Sequence, residues 1–306
     1  MSDIRLFSLK GTKYSELHGK SADLEKPLQS LIENNLTELL GIRFLATEYQ
    51  TGKTHGGRID TLGLDENNCP VIIEYKRSVG ENVINQGLFY LDWLMDHQGD
   101  FTLLVIDKLG EAAADAIDWS GPRLICIAAD FTRYDSHAIQ QIERNVELVR
   151  YRQFDKELLL LELVNAVDSS QKKRVKAKPS IRPIGNKGAT DKGVQDYFAS
   201  FSSEMKMLCD SLDSYILSLG DDVQRKELKQ YIAYKRLKNF ASIVPTKNQL
   251  LLQLHLSPDD LQSLPPNARD VRKIGHWGTG DLQLKIKTQK EVEEAKALIQ
   301  FAYLGL

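Results

Sequence analysis

The chain has 306 residues, of which 42% are hydrophobic and 27% charged, with a formal net charge of −2. That length allows two ordinary domains, each with its own core, and the composition excludes a disordered, collagen-like or membrane-bundle protein. Cys69, Cys126 and Cys209 and the six histidines are scattered without CxxC, HxH or HxxxH spacing, which argues against a disulfide framework and against thiolate or imidazole metal motifs.

No apolar run is long enough for a signal peptide or a bilayer span, so the chain is expected in the cytoplasm with no membrane partner. The near-neutral total hides an asymmetry. Residues 1–167 carry 17 Lys+Arg against 26 Asp+Glu, and residues 168–306 carry 23 against 16. The C-terminal part is the one expected to meet a polyanion.

In chain order, LEKPLQSLIENNLTELL (24–40) spaces Leu28, Ile32 and Leu36 as a helix, and Pro27 fits only its first turn. Strand-like runs follow at 43–50, 57–64 and 70–77, then a helix near 81–96. FTLLVID (101–107) and PRLICIAA (122–129) read as strands with the helical EAAADAI between them. A helix near 135–144 and the hairpin VELVRYR/ELLLLELV close a first domain over 1–167, a mixed sheet flanked by helices. Residues 168–193 (DSSQKKRVKAKPSIRPIGNKGATDKG) lose all hydrophobic period and read as a basic flexible linker. Residues 194–306 predict one long amphipathic helix to about Leu219, strands at 228–234, 238–244, 249–256 and 282–287, and a last helix over 289–303. This is a small α+β domain.

GGRIDTLGLDENNCPVIIEYKR (56–77) places acids where a core should be dry. A hairpin turning about Asn67 sets Asp60 opposite Glu74 and Leu62 opposite Ile72, and strand alternation puts Lys76 on the same face. Two desolvated carboxylates side by side repel, and one must take a proton unless a cation intervenes. Mg²⁺ (or Mn²⁺) suits such a site, with Asp60, Glu74 and the Tyr75 carbonyl as hard oxygen ligands and several retained waters. Lys76 is then placed to hold a water against a phosphate and to offset developing charge. A lone ExK is more often a salt-bridged strand end; the matched aspartate at hairpin register is what sets this one apart.

With these residues in view, GRID followed by VIIEYKR resembles the PD-(D/E)xK nuclease superfamily, and its NucS-like endonuclease branch in particular. The resemblance spans about residues 21–107 and implies a restriction-endonuclease-like core, Mg²⁺ dependence and a nucleic-acid substrate, expected to be DNA. It assigns Asp60, Glu74 and Lys76 to the acidic and lysine positions, Gln86 and Tyr90 of INQGLFYLDWL to the helix pair, and Glu25 to the first-helix glutamate. Glu33, off the apolar stripe, is expected in solvent; Glu48 is expected to be structural or to support the site, and Arg58 to pair structurally. The tail is similar to an uncharacterised family that accompanies such cores, through YIAYKRLKNFASIVP and RDVRKIGHWGTGD.

Beyond the core, KKRVKAK offers Lys172, Lys173 and Arg174 to phosphate, and YIAYKRLKNF interleaves Tyr231, Tyr234 and Phe240 with Lys235 and Arg236. Those aromatics serve equally as core. GHWGTGD (275–281) exposes Trp277 on a glycine-rich loop, as a stacking ring or as a buried turn residue. The expected function is a DNA endonuclease in repair or in defence against foreign DNA, and cutting both strands would favour a homodimer. The rival expectation is a nucleic-acid-binding module with weak catalysis.

Overall fold

A computed structural model describes residues 4–21, 25–52, 56–76, 83–155, 157–167 and 193–306. The expected linker cations Lys172, Lys173 and Arg174 lie outside the described residues. Two compact units divide the chain, Met1–Val167 and Asp168–Leu306.

In the first unit a small hairpin of β1 (Leu6–Lys10) and β2 (Lys13–Leu17) precedes β3 (Gly19–Lys20), α1 (Glu25–Asn34) and α2 (Leu36–Leu40). Then come β4 (Ile42–Gln50), β5 (Arg58–Asp65) and β6 (Pro70–Lys76), followed by α3 (Val83–Asp96), α4 (Gln98–Leu109) and α5 (Glu111–Asp115). β7 (Arg123–Ala128), α6 (Arg133–Gln140), β8 (Asn145–Phe154) and β9 (Leu158–Val167) complete it. The seven-stranded sheet has the order β3, β8, β7, β6, β5, β4, with β9 also paired to β8. β6, β7 and β8 run parallel, and the other pairings are antiparallel.

The result is a mixed α/β fold with helices flanking the sheet. Val71, Ile72, Ile73, Leu124, Ile125 and Ile127 are all buried because β6 and β7 are interior strands, which is why these runs show no alternation. FTLLVID, expected as a strand, is the body of α4. Phe101 and Val105, one turn apart, enter the core while Leu103 is exposed, so a single packing stripe outweighs the local β-propensity. The helix expected over 24–40 is interrupted at Asn35, between α1 and α2.

The second unit has α7 (Val194–Ser200) and α8 (Ser203–Leu217), then β10 (Gln224–Glu227), β11 (Ile232–Lys235), β12 (Asn239–Pro245), β13 (Leu250–Leu254), β14 (Ala268–Asp270), β15 (Leu282–Ile286) and α9 (Gln289–Leu304). The strands form one antiparallel sheet in the order β10, β11, β12, β13, β15, β14. Leu212 and Ile216 of α8 and Val292 and Ile299 of α9 pack with Ile232, Ile243, Leu252 and Leu284 on one face of it. The long helix expected from residue 194 stops at Phe201 and restarts where the Ser202 side chain accepts the Met205 N–H. Among the described residues no helix is long and apolar enough to cross a membrane.

At the turn end of β5 and β6 the first unit buries an ion triad. Arg123 donates to Asp65 at 2.8 Å and to Glu147 at 2.8 and 2.9 Å, with all three side chains at most 5% exposed. Burial alone would weaken the Arg123 charge, but Glu147 and Asp65 outweigh it and hold the guanidinium cationic. Asp65 also accepts the Asn67 and Cys69 N–H groups and so shapes the turn. Replacing Arg123 by Met leaves two carboxylates without their cation, and a loss of about 3–5 kcal/mol is expected. Urea unfolding of the first unit followed through Trp93 and Trp119 measures it, and a cost below about 1 kcal/mol would contradict the assignment.

Candidate active site

β5 and β6 pair in the register expected from the hairpin, Leu62 against Ile72 and Thr61 against Ile73, and their ladder ends there. β5 continues along β4 to Arg58, and β6 continues along β7 to Lys76. The two strands therefore part at Asp60 and Glu74. Side chains replace the missing backbone bonds: Asp60 Oδ2 accepts the Tyr75 N–H at 3.0 Å, and Glu74 Oε1 accepts the Asp60 N–H at 3.2 Å. N–H and C=O of one residue leave a strand on the same edge, so the Tyr75 carbonyl also points into this gap.

The helices fix both acids. Gln29 of α1, 4% exposed, donates to the Asp60 carbonyl at 2.7 Å. Gln86 of α3 donates to Glu74 Oε2 at 2.9 Å. Glu25, Gln29 and Glu33 form one i, i+4 row of α1 facing β5. Glu33, expected in solvent, instead accepts from Thr61 Oγ1 at 2.6 Å and from Gln29 at 2.9 Å. Sequence reasoning missed Gln29, although a polar residue beside the Leu28 and Ile32 stripe was the available signal.

An open cleft of about 760 Å³ is lined by Glu25, Asp60, Lys76, Gln86, Tyr90 and the Gly56–Gly57 turn. Lys76 Nζ lies 3.7 Å from Glu25 Oε2. The Tyr90 hydroxyl accepts the Arg58 N–H at 3.1 Å. A Cβ on Gly57 would lie 2.5 Å from the Tyr90 ring, so only glycine lets the GGRID turn sit against that tyrosine. Arg58 and Lys26 both pair with Glu48, whose φ of 53 is unusual for a strand residue and marks local strain beside Asp60.

Glu74 is fully buried. Desolvation first, and the Asp60 charge second, push its carboxyl up to about 9. Desolvation also raises Asp60, opposed by the Tyr75 N–H and by Lys76. Neighbouring desolvated carboxylates need a proton or a cation, and two carboxylates with one carbonyl are a donor set that fits Mg²⁺ or Mn²⁺ with retained waters. Among the described residues no group of three or more His, Cys, Asp or Glu gathers as a metal site. A cation here would rest on the pair and the Tyr75 carbonyl.

The tail candidates part company. Lys235 is 3% exposed, and Tyr231, Tyr234 and Phe240 are buried in the second unit. Arg236 binds Asp222 at 2.5 Å and lies over the Tyr303 ring. The aromatics of YIAYKRLKNF and Lys235 are thus taken up within the domain, whereas the Arg236 side chain stays 43% exposed. Trp277 is 58% exposed.

Between about 4.5 and 9 the folded chain keeps a Glu74 proton that the unfolded chain releases. Stability without metal is therefore full at the acid end of that window and falls as pH rises through it. Melting temperatures measured across the window in EDTA should decline, Glu74→Gln should flatten the decline, and Mg²⁺ or Mn²⁺ should restore the wild type at about pH 8. A melting temperature that climbs with pH in the wild type but not in Glu74→Gln would contradict this.

Residues 194–304 match a family described as a domain of unknown function (DUF5655). A curated relative from Haemophilus influenzae, described as an uncharacterized protein, is 28% identical over 310 residues, covering 98% of this chain and 99% of the relative. A repair endonuclease from Pyrococcus abyssi overlays at a TM-score of 0.27 with 18% identity, across 43% of this chain and 48% of that one. A solved EndoMS–dsDNA2 complex overlays at a TM-score of 0.25 with 19% identity, across 45% of this chain and 48% of that one. The chain spans about half the length of each of these solved structures.

Proposed function

We propose that the first unit is a metal-dependent phosphodiesterase acting on nucleic acid, a DNA endonuclease of repair or of defence against foreign DNA. The observation that carries this reading is the parting of β5 and β6, where the buried Glu74, the half-buried Asp60 and a backbone carbonyl meet beside an open cleft lined by Lys76. The PD-(D/E)xK resemblance of the same residues supports the choice of a phosphodiester as substrate.

A divalent Mg²⁺ or Mn²⁺ held by Asp60, Glu74 and the Tyr75 carbonyl would supply Lewis acidity toward a phosphoryl oxygen and make water more acidic. Glu74 would be ionised in that role, and Gln86, which donates to its Oε2, keeps the carboxylate turned correctly. Gln29 keeps the Asp60 backbone fixed from the other side. Lys76, partnered by Glu25, orients a water against phosphorus and offsets charge on the phosphoryl oxygens. The water oxygen forms the new P–O bond and releases its proton to the solvent of the open cleft as the P–O bond to the departing nucleotide breaks. That nucleotide takes its proton from solvent, which the open cleft admits. Tyr90 acts through the backbone of Arg58 and holds the cleft wall. Cutting both strands of a duplex would need two such clefts, so a homodimer is expected for that substrate.

Purified chain incubated with Mg²⁺ or Mn²⁺ should cut at least one of duplex DNA, single-stranded DNA, branched DNA and RNA. Lys76→Ala should slow cutting by about 10²–10³-fold with an unchanged melting temperature. Tyr90→Phe should be mild by comparison. Equal cleavage by wild type and Lys76→Ala would mean a contaminant, and the nuclease reading would fall.

A further inference from the structure

The outer face of the second unit's sheet, away from α8 and α9, has a charge pattern that its core face lacks. Register aligns Lys226, Ala233, Ser242, Gln253, Gln283 and Arg269 across all six strands. Alternation adds Lys235 and Lys285 to the same side. Among the described residues, every ionisable side chain that the strands turn to this face is cationic. Arg225 and Glu227 fall on the other side, where Arg225 meets Asp213 at 2.8 Å. Residues 193–306 carry 15 Lys+Arg against 14 Asp+Glu, so any pull on a polyanion comes from this segregation and not from net charge.

The loop between β14 and β15 lies on this face and is pinned to it. Ser242 Oγ accepts the Thr279 N–H at 3.1 Å and donates to the Thr279 carbonyl at 3.3 Å. Asn239 donates to Thr279 Oγ1 at 3.1 Å, and Gln253 donates to the Trp277 carbonyl at 3.2 Å. Gly278, at a φ of 83, runs so close that a Cβ would lie 2.6 Å from Ser242 Oγ. The loop is thereby held rigid, yet the indole it carries stays 58% exposed. A tryptophan with only a structural task is normally buried. Arg269, oriented by Gln283 Oε1 at 2.6 Å, and Lys285 are both exposed and stand diagonally on neighbouring strands. Lys226 and Lys235 are buried, which leaves the β15–β14 side of the face as the open one.

We propose that this face binds single-stranded nucleic acid, with Trp277 stacked on an unpaired base and Arg269 and Lys285 on nearby phosphates. The class of polyanion rests on the nuclease reading of the first unit. An exposed, pre-positioned ring needs the flat of a base, which pairing conceals in a duplex, and strands that turn cations but no carboxylate to this face, with Asp281 of the loop at its margin, favour a strand of regular negative charge.

The test is fluorescence anisotropy of a labelled oligothymidylate with the full chain in EDTA, where cutting is suppressed. Trp277→Ala should weaken binding by about tenfold, and Trp277→Phe should stay within about threefold of wild type. Arg269→Gln with Lys285→Gln should reduce the slope of log K against log salt by about 1.4. Circular dichroism establishes that each variant is folded, and the Phe variant and the charge pair still decide the matter if Trp277→Ala is not. Wild-type affinity in all variants would overturn the proposal, as would equal Trp277 dependence for duplex DNA or equal displacement by polyglutamate. Cutting in the metal assay without Trp277-dependent binding sinks this proposal and leaves the nuclease reading intact. Trp277-dependent binding without cutting does the reverse.

Discussion

Two acidic side chains stand in for backbone hydrogen bonds where β5 and β6 separate. Asp60 binds the Tyr75 N–H and Glu74 binds the Asp60 N–H, so each acid holds the opposite strand. Continuing the ladder would leave no gap, and parting the strands without these acids would leave buried N–H groups unsatisfied. The cleft, the aim of the Tyr75 carbonyl and the placing of Lys76 all depend on that exchange.

The sheet treats buried carboxylates in two ways at its two ends. At the turn end, Asp65 and Glu147 share Arg123, and their charge is settled within the protein. At the open end, Asp60 and Glu74 have Lys76 nearby but, among the described residues, no guanidinium between them, and desolvation drives Glu74 toward its neutral form. A compensated cluster stabilises a fold and does little else. An uncompensated pair stores affinity for whatever positive charge can enter. The open end is also where the parallel strands β6 and β7 finish, the end at which α/β sheets commonly bind ligands.

The second unit applies the same economy of polar groups to a different purpose. One face of its sheet is sealed by α8 and α9, while Ser242, Gln253 and Asn239 on the other hold a glycine-rich loop instead of a helix. The loop backbone pairs with Ser242 and with the Gln253 amide nitrogen, and the Thr279 hydroxyl pairs with Asn239, while Gln253 Oε1 has no partner among the described residues. The cost of burying these side chains is offset by a fixed loop geometry, and that geometry keeps Trp277 outward.

Local pattern carried much of this architecture. Hairpin register followed from the turn and the alternation of side chains, so the meeting of Asp60 with Glu74 and of Leu62 with Ile72 could be read from spacing alone, as could most strands and the closing helix. Helix breaks at Asn35 and Phe201, the helical state of FTLLVID, and the short β10 and β14 could not be, because each depends on which surface a segment packs against. The same divide runs through the site. Residue types and spacing determined which acids and which lysine converge, since neighbouring strands bring them together whatever else the chain does. Only the tertiary structure decided that Gln29 and Glu33 join them, that Tyr90 grips the backbone of Arg58, and that Lys235 is withdrawn while Trp277 is displayed. Those outcomes depend on contacts between elements distant in sequence, and no periodicity encodes them.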